Sequence, residues 1–415
     1  MHVMIAGGGI GGLTAALCLH EIGVRVSVFE SGSGLEELGV GINVLPHAVK
    51  EYQRLGLVER LLESGVELQT YAWFNKFGQR IWSEPRGRSA GYDWPQISIH
   101  RGHLQRILSD AVSERLGAGT QHWNHHLAAA EQIGDRVRAS FVDRRSGATV
   151  GTCEADALVG ADGIHSAVRS LRYPDEGPPR WSGNMLWRMT VETDPVLGGQ
   201  TMIAVGNART KIVGYEISRA AKERGRSLFN WIAEARLGEP GSPLPERENW
   251  NRESSVDAFL PYFENWCFDW LDVRDLARRT GKVWVFPMVD RDPLDRWTFG
   301  RVTLLGDAAH PMWPIGSNGA SQAVLDCRCL ADSIARYEDL AEAFGAYESE
   351  RRPATASVVL ANRANAHDEV LEIAERRAPD GFDDIRDVAS EEELKAICDR
   401  YRLTARFDRS QLQDD

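Results

Sequence analysis

The most restrictive feature of this chain is a run of five glycines in six positions, Gly7 to Gly12, between the apolar stretch HVMIA and a helix-like segment. A turn alone requires one or two glycines, so the others need a separate reason. HVMIA reads as a short buried strand bounded by glycine. From Leu13 the apolar positions Leu13, Ala16, Leu17 and Ile22 recur at helical spacing, and Gly23 supplies a C-cap. VRVSVFE then reads as a second strand that closes on Glu30. Within this strand–turn–helix–strand unit, Gly7, Gly9 and Gly12 stand at G-x-G-x-x-G spacing. The first permits the tight turn, the second lets backbone approach a pyrophosphate, and the third lets helix pack on strand. Free amides and the helix dipole favour phosphate at the helix start. Glu30, eighteen residues after Gly12, is placed to accept hydrogen bonds from a ribose.

With 415 residues the chain is too long for one ordinary core and predicts two or three domains. An apolar content of 43% with 26% charged residues fits a globular protein, and a net charge of -12 argues against a nucleic-acid partner. The six cysteines are scattered without metal-ligand spacing, and the expectation is of reduced, mostly buried thiols. A strand that starts at residue 2 or 3 leaves no room for a signal peptide, and no apolar run approaches the length of a membrane span. A cytoplasmic protein without membrane partners is expected.

Along the chain, ELQTYAWFNKFGQRIW alternates apolar and polar residues around NKFG and predicts a hairpin over 68–83. Residues 101–116 return to helical periodicity, and RVRASFVD, RRSG and ATVGTCEADALVG predict a second hairpin running into a buried strand. Strand-like stretches (TMIAVG, KIVGYEI, SLFNWIA, KVWVFPM) and frequent tryptophans mark 181–288 as different in texture. RVTLLGDAAHP resumes the first pattern, a long helical region follows from about 319, and the last fifty residues are charged and helix-prone, closing in a frayed QLQDD. The expected organisation is α/β, with one domain from 1–67, 98–180 and 289–365, a second, sheet-based domain from 68–97 and 181–288, and a helical extension over 366–415.

Two further motifs, GADGIHSAVR (Gly160 to Arg169) and LLGDAAHPMWPIGSNGASQAVLD (Leu304 to Asp326), each end an apolar strand abruptly in glycine and aspartate. Each exposes amides and one carboxylate at a strand's carboxyl end, where open α/β sheets bind ligands. Asp307 can accept from ribityl hydroxyls, and a helix starting near Gly319 would aim its positive end at a flavin's pyrimidine ring.

With these three motifs the chain resembles the single-component FAD-dependent aromatic hydroxylases, the family of para-hydroxybenzoate and salicylate hydroxylases. LGVGIN, WSEPRG, SIHRGHLQ, PMVDRDPL and GASQA are similar to its 5-methylphenazine-1-carboxylate 1-monooxygenase branch, across residues 1 to about 365. The resemblance implies a Rossmann-type FAD-binding domain interleaved with a substrate domain like that of para-hydroxybenzoate hydroxylase. It implies non-covalent FAD, NAD(P)H and dioxygen as co-substrates, a small aromatic substrate, and a monomer or homodimer. It places Gly7, Gly9, Ile10, Gly11, Gly12 and Leu13 at the pyrophosphate, and Glu30 with Ser31 at the adenosine ribose. Val40 and Gly41 would approach the flavin, Arg101 and Gln105 the phosphate or ribityl region, and Gly306 with Asp307 the ribityl chain. Pro314, Gly316, Gly319 and Ala320 would cup the isoalloxazine, and Asp162 would organise its motif beside the pyrophosphate or the incoming pyridine nucleotide.

The implied reaction is hydroxylation, with or without decarboxylation, of an aromatic or N-heteroaromatic ring through a flavin C4a-hydroperoxide. No side chain is then an obligatory acid or base. His310 and His165 read as structural members of their motifs, and His125 and His126 as solvated. Trp187 and Arg188 in MLWRM are candidates for stacking on and pairing with an acidic substrate; Tyr215, Trp231, Trp284, Pro287 and Met288 are further pocket candidates. Epoxidation or Baeyer–Villiger oxygen insertion uses the same cofactor chemistry in a differently shaped pocket. A binding or escort protein of the same fold, without flavin, is a more distant alternative. A halogenase would carry W-x-W-x-I-P, which is absent.

Overall fold

The computed structural model describes residues 1–35, 39–244 and 252–412. Five short strands form a parallel sheet in the order Val302–Leu304, Ala157–Gly160, His2–Ala6, Arg25–Phe29, Gln121–His122. Strands Val302–Leu304, Ala157–Gly160 and His2–Ala6 are almost continuously apolar and fully buried, as expected where helices cover both faces. Ala6 pairs with Gly160 and Phe29, and Gly160 with Leu304, so the three glycine motifs leave the sheet side by side at its carboxyl edge. Helix Ile10–Glu21 packs between helices Arg101–Leu116 and Gly319–Arg336 in the main core.

The first helix begins at Ile10, ahead of the apolar periodicity at Leu13, because the glycine turn closes immediately. The 68–83 hairpin forms from Thr70–Phe74 and Arg80–Pro85, its turn held by Asn75 Oδ1 accepting from the amides of Phe77 and Gln79 at 3.0 Å each. The second hairpin, Arg136–Val142 with Thr149–Ala155, gains a third strand, His126–Ile133. That strand has little alternation to betray it. Its neighbourhood also corrects the expectation of solvated histidines: His125 lies 5.7 Å from the Phe29 ring and bonds Trp123 O at 2.7 Å, and His126 is half-buried. Of the cysteines, all free, Cys18, Cys327 and Cys398 are buried and Cys267 is exposed. The chain's last three residues, from the expected frayed end, lie outside the described set.

An eight-stranded sheet runs in the order Glu253–Ser254, Val283–Asp290, Arg180–Thr193, Ser227–Arg236, Thr210–Glu216, Thr201–Gly206, Thr70–Phe74, Arg80–Pro85. Its long strand Arg180–Thr193 contains the MLWRM stretch. One face carries Trp187, Met189, Phe229, Trp231, Val283 and Val285 into an aromatic core with Phe259 and Phe263. The other face is divided. Part of it packs under helices Glu369–Arg377 and Glu391–Thr404 through Met202, Ala204 and Ile217, and part packs on Trp313 and Ile315 through Leu186, Phe286 and Met288. The architecture is thus α/β, a Rossmann-type unit beside an interleaved sheet with C-terminal helices.

Glu216 ends strand Thr210–Glu216 with both carboxylate oxygens buried. Burial raises its pKa from 4.5 to about 7, only partly opposed by Ser227 and Lys222. Because folding raises this pKa, the folded chain holds the proton more tightly, and the stability it contributes is lost as pH rises from about 4.5 through about 7. Glu216→Gln is therefore expected to flatten the decline of Tm over that interval and to melt above the parent at pH 8. Thermal scans of both proteins from pH 5 to 8 check this, and parallel curves would count against it.

Candidate cofactor and substrate site

At the carboxyl edge of the parallel sheet, each glycine of the first motif has a distinct steric reason. Gly7 has φ +107, and a Cβ there would strike Ala161 O of the neighbouring motif. A Cβ on Gly12 would strike Gly7 O, whereas one on Gly9 would meet nothing within 4 Å. Turn, open approach and helix-on-strand packing are thus divided among the three. The helix from Ile10 has no side-chain cap, so its first amides are left for a ligand. Gly11 lies against Leu305, and Leu13 is fully buried. Gln105 Nε2 donates to Gly8 O at 2.9 Å. Glu30 accepts from the amides of Gly8 and Gly32 at 2.7 Å each and from Ser31 Oγ at 3.1 Å, which fixes its carboxylate at the rim.

Asp162 accepts from Ser166 Oγ at 2.5 Å and from the amides of Ala167 and Val168, so it holds the GADG turn onto the helix Ala167–Arg172. Arg169 spans to the third motif, donating to Ala308 O and Ala309 O at 3.1 and 3.0 Å while pairing with Glu176. In the third motif Asp326 is fully buried and accepts from Gly306 N at 3.1 Å, His310 Nε2 at 2.5 Å and Arg351 Nε at 2.8 Å. Burial alone would raise its pKa, but His310 and Arg351 hold it at about 2. Asp307, by contrast, is open to the cleft. Desolvation raises its pKa against the opposing charges of His310 and Arg101. Arg101 is held down by desolvation and then by Arg188, with Asp307 opposing. The helix from Gly319, also without a side-chain cap, starts beside them, and a Cβ on Gly319 would lie 4.0 Å from Asp307 Oδ1. An open glycine cradle, two uncapped helix starts and an unpaired carboxylate match the phosphate, ribityl and ring edges of FAD.

Gly41, at the start of strand Gly41–Val44 in a small antiparallel sheet with Gln96–His100 and Val66–Leu68, is bound to the large sheet. Its N–H donates to Asn230 Oδ1 and its carbonyl accepts from Arg188 Nη2, both at 2.6 Å. A Cβ there would overlap Ile217, Asn230 and Tyr215. Val40 O accepts from Arg101 N at 2.9 Å. Cross-strand partners share a face. Arg188 pairs with Trp284 and Ile232, and Tyr215 with Asn230. Arg188, Tyr215 and Trp284 therefore face the Gly41 side with Met288, which packs with Leu186, Phe286, Trp313 and Ile315. Trp187, Trp231 and Pro287 point to the opposite face; Trp231 donates to Thr280 Oγ1 at 3.2 Å in the aromatic core. Strand alternation separates these candidates, and the structure does not bring them to the site. Four buried polar atoms around the space lack partners: Arg188 Nε, Asn230 Nδ2, Asn43 Oδ1 and Trp313 Nε1. Burial depresses Arg188 and raises the Tyr215 phenol, and each group opposes the other's shift.

Sequence reasoning missed Arg169, Asn230, Asp326, Arg351 and Tyr401. Arg169 and Asp326 lie within the quoted motifs, where a charged residue beside a glycine–aspartate turn was a readable signal. Asn230, in a strand full of apolar residues, offered only its polarity.

The FAD binding domain family model matches residues 1–250 and 279–362. Phenazine 1,6-dicarboxylic acid hydroxylase PhzS of Lysobacter antibioticus is 43% identical over 363 residues, covering 87% of this chain and 89% of the relative. 3-Hydroxybenzoate 6-hydroxylase 1 of Aquipseudomonas alcaligenes is 32% identical, covering 86% of each. Among solved structures, Klebsiella pneumoniae HpxO complexed with FAD and uric acid superposes with a TM-score of 0.78 at 23% identity, covering 97% of each chain. A salicylate hydroxylase substrate complex superposes at 0.73 and 24% identity, covering 98% of this chain and 97% of the other; both show the shared fold. With its three motifs on one sheet edge, the chain belongs to the FAD-dependent aromatic hydroxylases of the FAD binding domain family.

Proposed function

We propose that the protein uses NAD(P)H and dioxygen to hydroxylate an aromatic or N-heteroaromatic acid held between the large sheet and the 313–319 segment. One observation carries this reading: the apolar cluster of Met288, Phe286, Trp313 and Ile315 lies beside Arg188, whose guanidinium is 5.8 Å from the Phe286 ring centre and whose buried Nε has no partner. A flat apolar ring with one carboxylate satisfies both features. The 43% relative is named for action on a phenazine dicarboxylic acid, which makes N-heteroaromatic acids the first class to test.

In this reading Gly9, Gly11 and Gly12 receive the pyrophosphate and Glu30 the ribose. Asp307 accepts from the ribityl chain, and the helix from Gly319 faces the flavin ring. Bound there, reduced FAD would supply the activation of dioxygen. The side chains have the remaining tasks. Arg188 fixes the substrate's acidic end while keeping Gly41 in place, Trp313 and Met288 orient the ring, and the closed apolar wall excludes water. The experiment that tests the reading is a screen of aromatic and phenazine carboxylic acids for stimulated NAD(P)H consumption, with product masses read in parallel. Hydroxylation adds one oxygen to an intact ring, whereas ring expansion or an epoxide would move the assignment to the alternative oxygenases. A colourless protein that binds no FAD would leave only the escort reading.

Under labelled dioxygen, one labelled atom is expected in the product, and label arriving from water would overturn a dioxygen-dependent reaction. All flavin is expected in the supernatant after acid precipitation, as FAD. Asp307→Ala is expected to weaken FAD binding by roughly 1.5–3 kcal/mol, the worth of a charge-assisted hydrogen bond, measured by titrating apoprotein with FAD.

Arg188→Ala is expected to cost roughly 2–5 kcal/mol in kcat/KM for acidic aromatics, the range for breaking a buried charged pair. Arg188→Lys should recover only part of this, since a lysine keeps the charge but not the fork that reaches Gly41 and the substrate together. Neutral analogues should lose much less. Equal losses for charged and neutral substrates would assign Arg188 to the reductant or to Gly41 alone.

A further inference from the structure

The segment that leads into the helix from Gly319 is strained. Gly316 has φ +66, and Ser317, with a side chain, has φ +57. A residue with a side chain held in the left-handed region persists only where its surroundings over-determine it. Here the surroundings come from the far end of the chain. Tyr401, on helix Glu391–Thr404, is 1% exposed. Its hydroxyl lies 2.9 Å from Ile315 O and 2.8 Å from Asn362 Oδ1, and accepts from Asn318 Nδ2 at 3.0 Å. Asn362 Nδ2 in turn donates to Trp313 O at 2.9 Å, and Asn43 Nδ2 to Ser317 Oγ at 3.2 Å. A Cβ on Gly316 would strike the Tyr401 ring, so glycine is required there for packing as well as for φ. Gln322 in the following helix is tied to the same extension through Ala405 O at 2.8 Å. The matched family region ends at residue 362, so Tyr401 and Ala405 lie beyond it.

We infer that Tyr401 is a positioning residue for the flavin: its hydroxyl sets the 313–318 segment and so aims the amides of the Gly319 helix at the ring. This rests on the proposed seat of FAD against that helix. A helix start stabilises negative charge in its line, so loosening the segment should weaken the preference for reduced over oxidised flavin. It should also admit water to the ring edge.

Tyr401→Phe keeps the ring in its core and removes only the hydroxyl. In the holoenzyme the flavin midpoint potential is expected to fall by about 30 mV, the two-electron equivalent of a tenfold loss of that preference. The share of NAD(P)H oxidation that ends as hydrogen peroxide should rise severalfold. Asn318→Ala, which breaks the same junction from the other side, should shift the potential in the same direction and serves if Tyr401→Phe does not fold. The double variant should go little beyond the larger single shift, because both remove one junction. A lower Tm with unchanged potential and unchanged peroxide yield in either folded variant would overturn the inference and leave Tyr401 a core residue. A parent protein that binds no FAD would overturn the cofactor reading and this inference with it. A parent with FAD and aromatic-stimulated turnover, beside variants of unchanged potential, would overturn the inference alone.

Discussion

Asp326 is a carboxylate with no exposure, and the third motif depends on it. Its two oxygens accept from Gly306 N, His310 and Arg351, which join the strand end Val302–Leu304, the GDAAHP turn and helix Leu340–Arg363. Burying an ion is costly unless it is paired and hydrogen-bonded on every side, and removing one partner from such a group costs about 3–5 kcal/mol. The return is geometrical. With Gly306 held by Asp326, the next residue turns its carboxylate outward, and Asp307 stays open in the cleft while its neighbour in the motif, His310, is consumed by structure. The two aspartates of this stretch thus differ in kind, one buried and satisfied within the protein, the other exposed toward the cleft.

Strand alternation makes a second division. On strand Arg180–Thr193, Trp187 and Arg188 are adjacent in sequence and opposite in space. Trp187 closes an aromatic core with Phe259, and Arg188 reaches Gly41. A pair read together as one binding element is in fact a wall and a contact. The same rule sends Pro287 to the far face and Met288 to the near one, where it packs with Trp313 and Ile315.

The local code carried the first of these lessons but not the second. The glycine unit, both aspartate turns and the helices at 101–116 and 319 onward were legible because each depends on neighbours in sequence: a φ that only glycine adopts easily, an apolar run, a cap. Asp162, read as the organiser of its motif, does hold its turn. What was illegible depends on pairs far apart in the chain. Arg169 meets Ala308, Asn230 meets Gly41, and Tyr401 meets Ile315 across separations of 139, 189 and 86 residues. The face on which a tryptophan falls also depends on strand register, which composition does not state. Strand His126–Ile133 was missed for a related reason, since its pairing with Arg136–Val142 supplies the order that its own side chains do not.

These long-range pairs have a common direction. Gly41, which opens the strand Gly41–Val44 of a small antiparallel sheet with Gln96–His100 and Val66–Leu68, has both backbone groups engaged by Asn230 and Arg188, so that small sheet is fastened to the large one through one residue without a side chain. On the opposite side of the same space, the 313–318 segment is fastened to the C-terminal helices through Tyr401 and Asn362. The space between them belongs to neither sheet alone. Desolvation depresses Arg101, Arg188 depresses it further, and Arg101 in turn opposes the desolvation that raises Asp307, so a side chain of the large sheet and the carboxylate of the third motif are linked through one guanidinium.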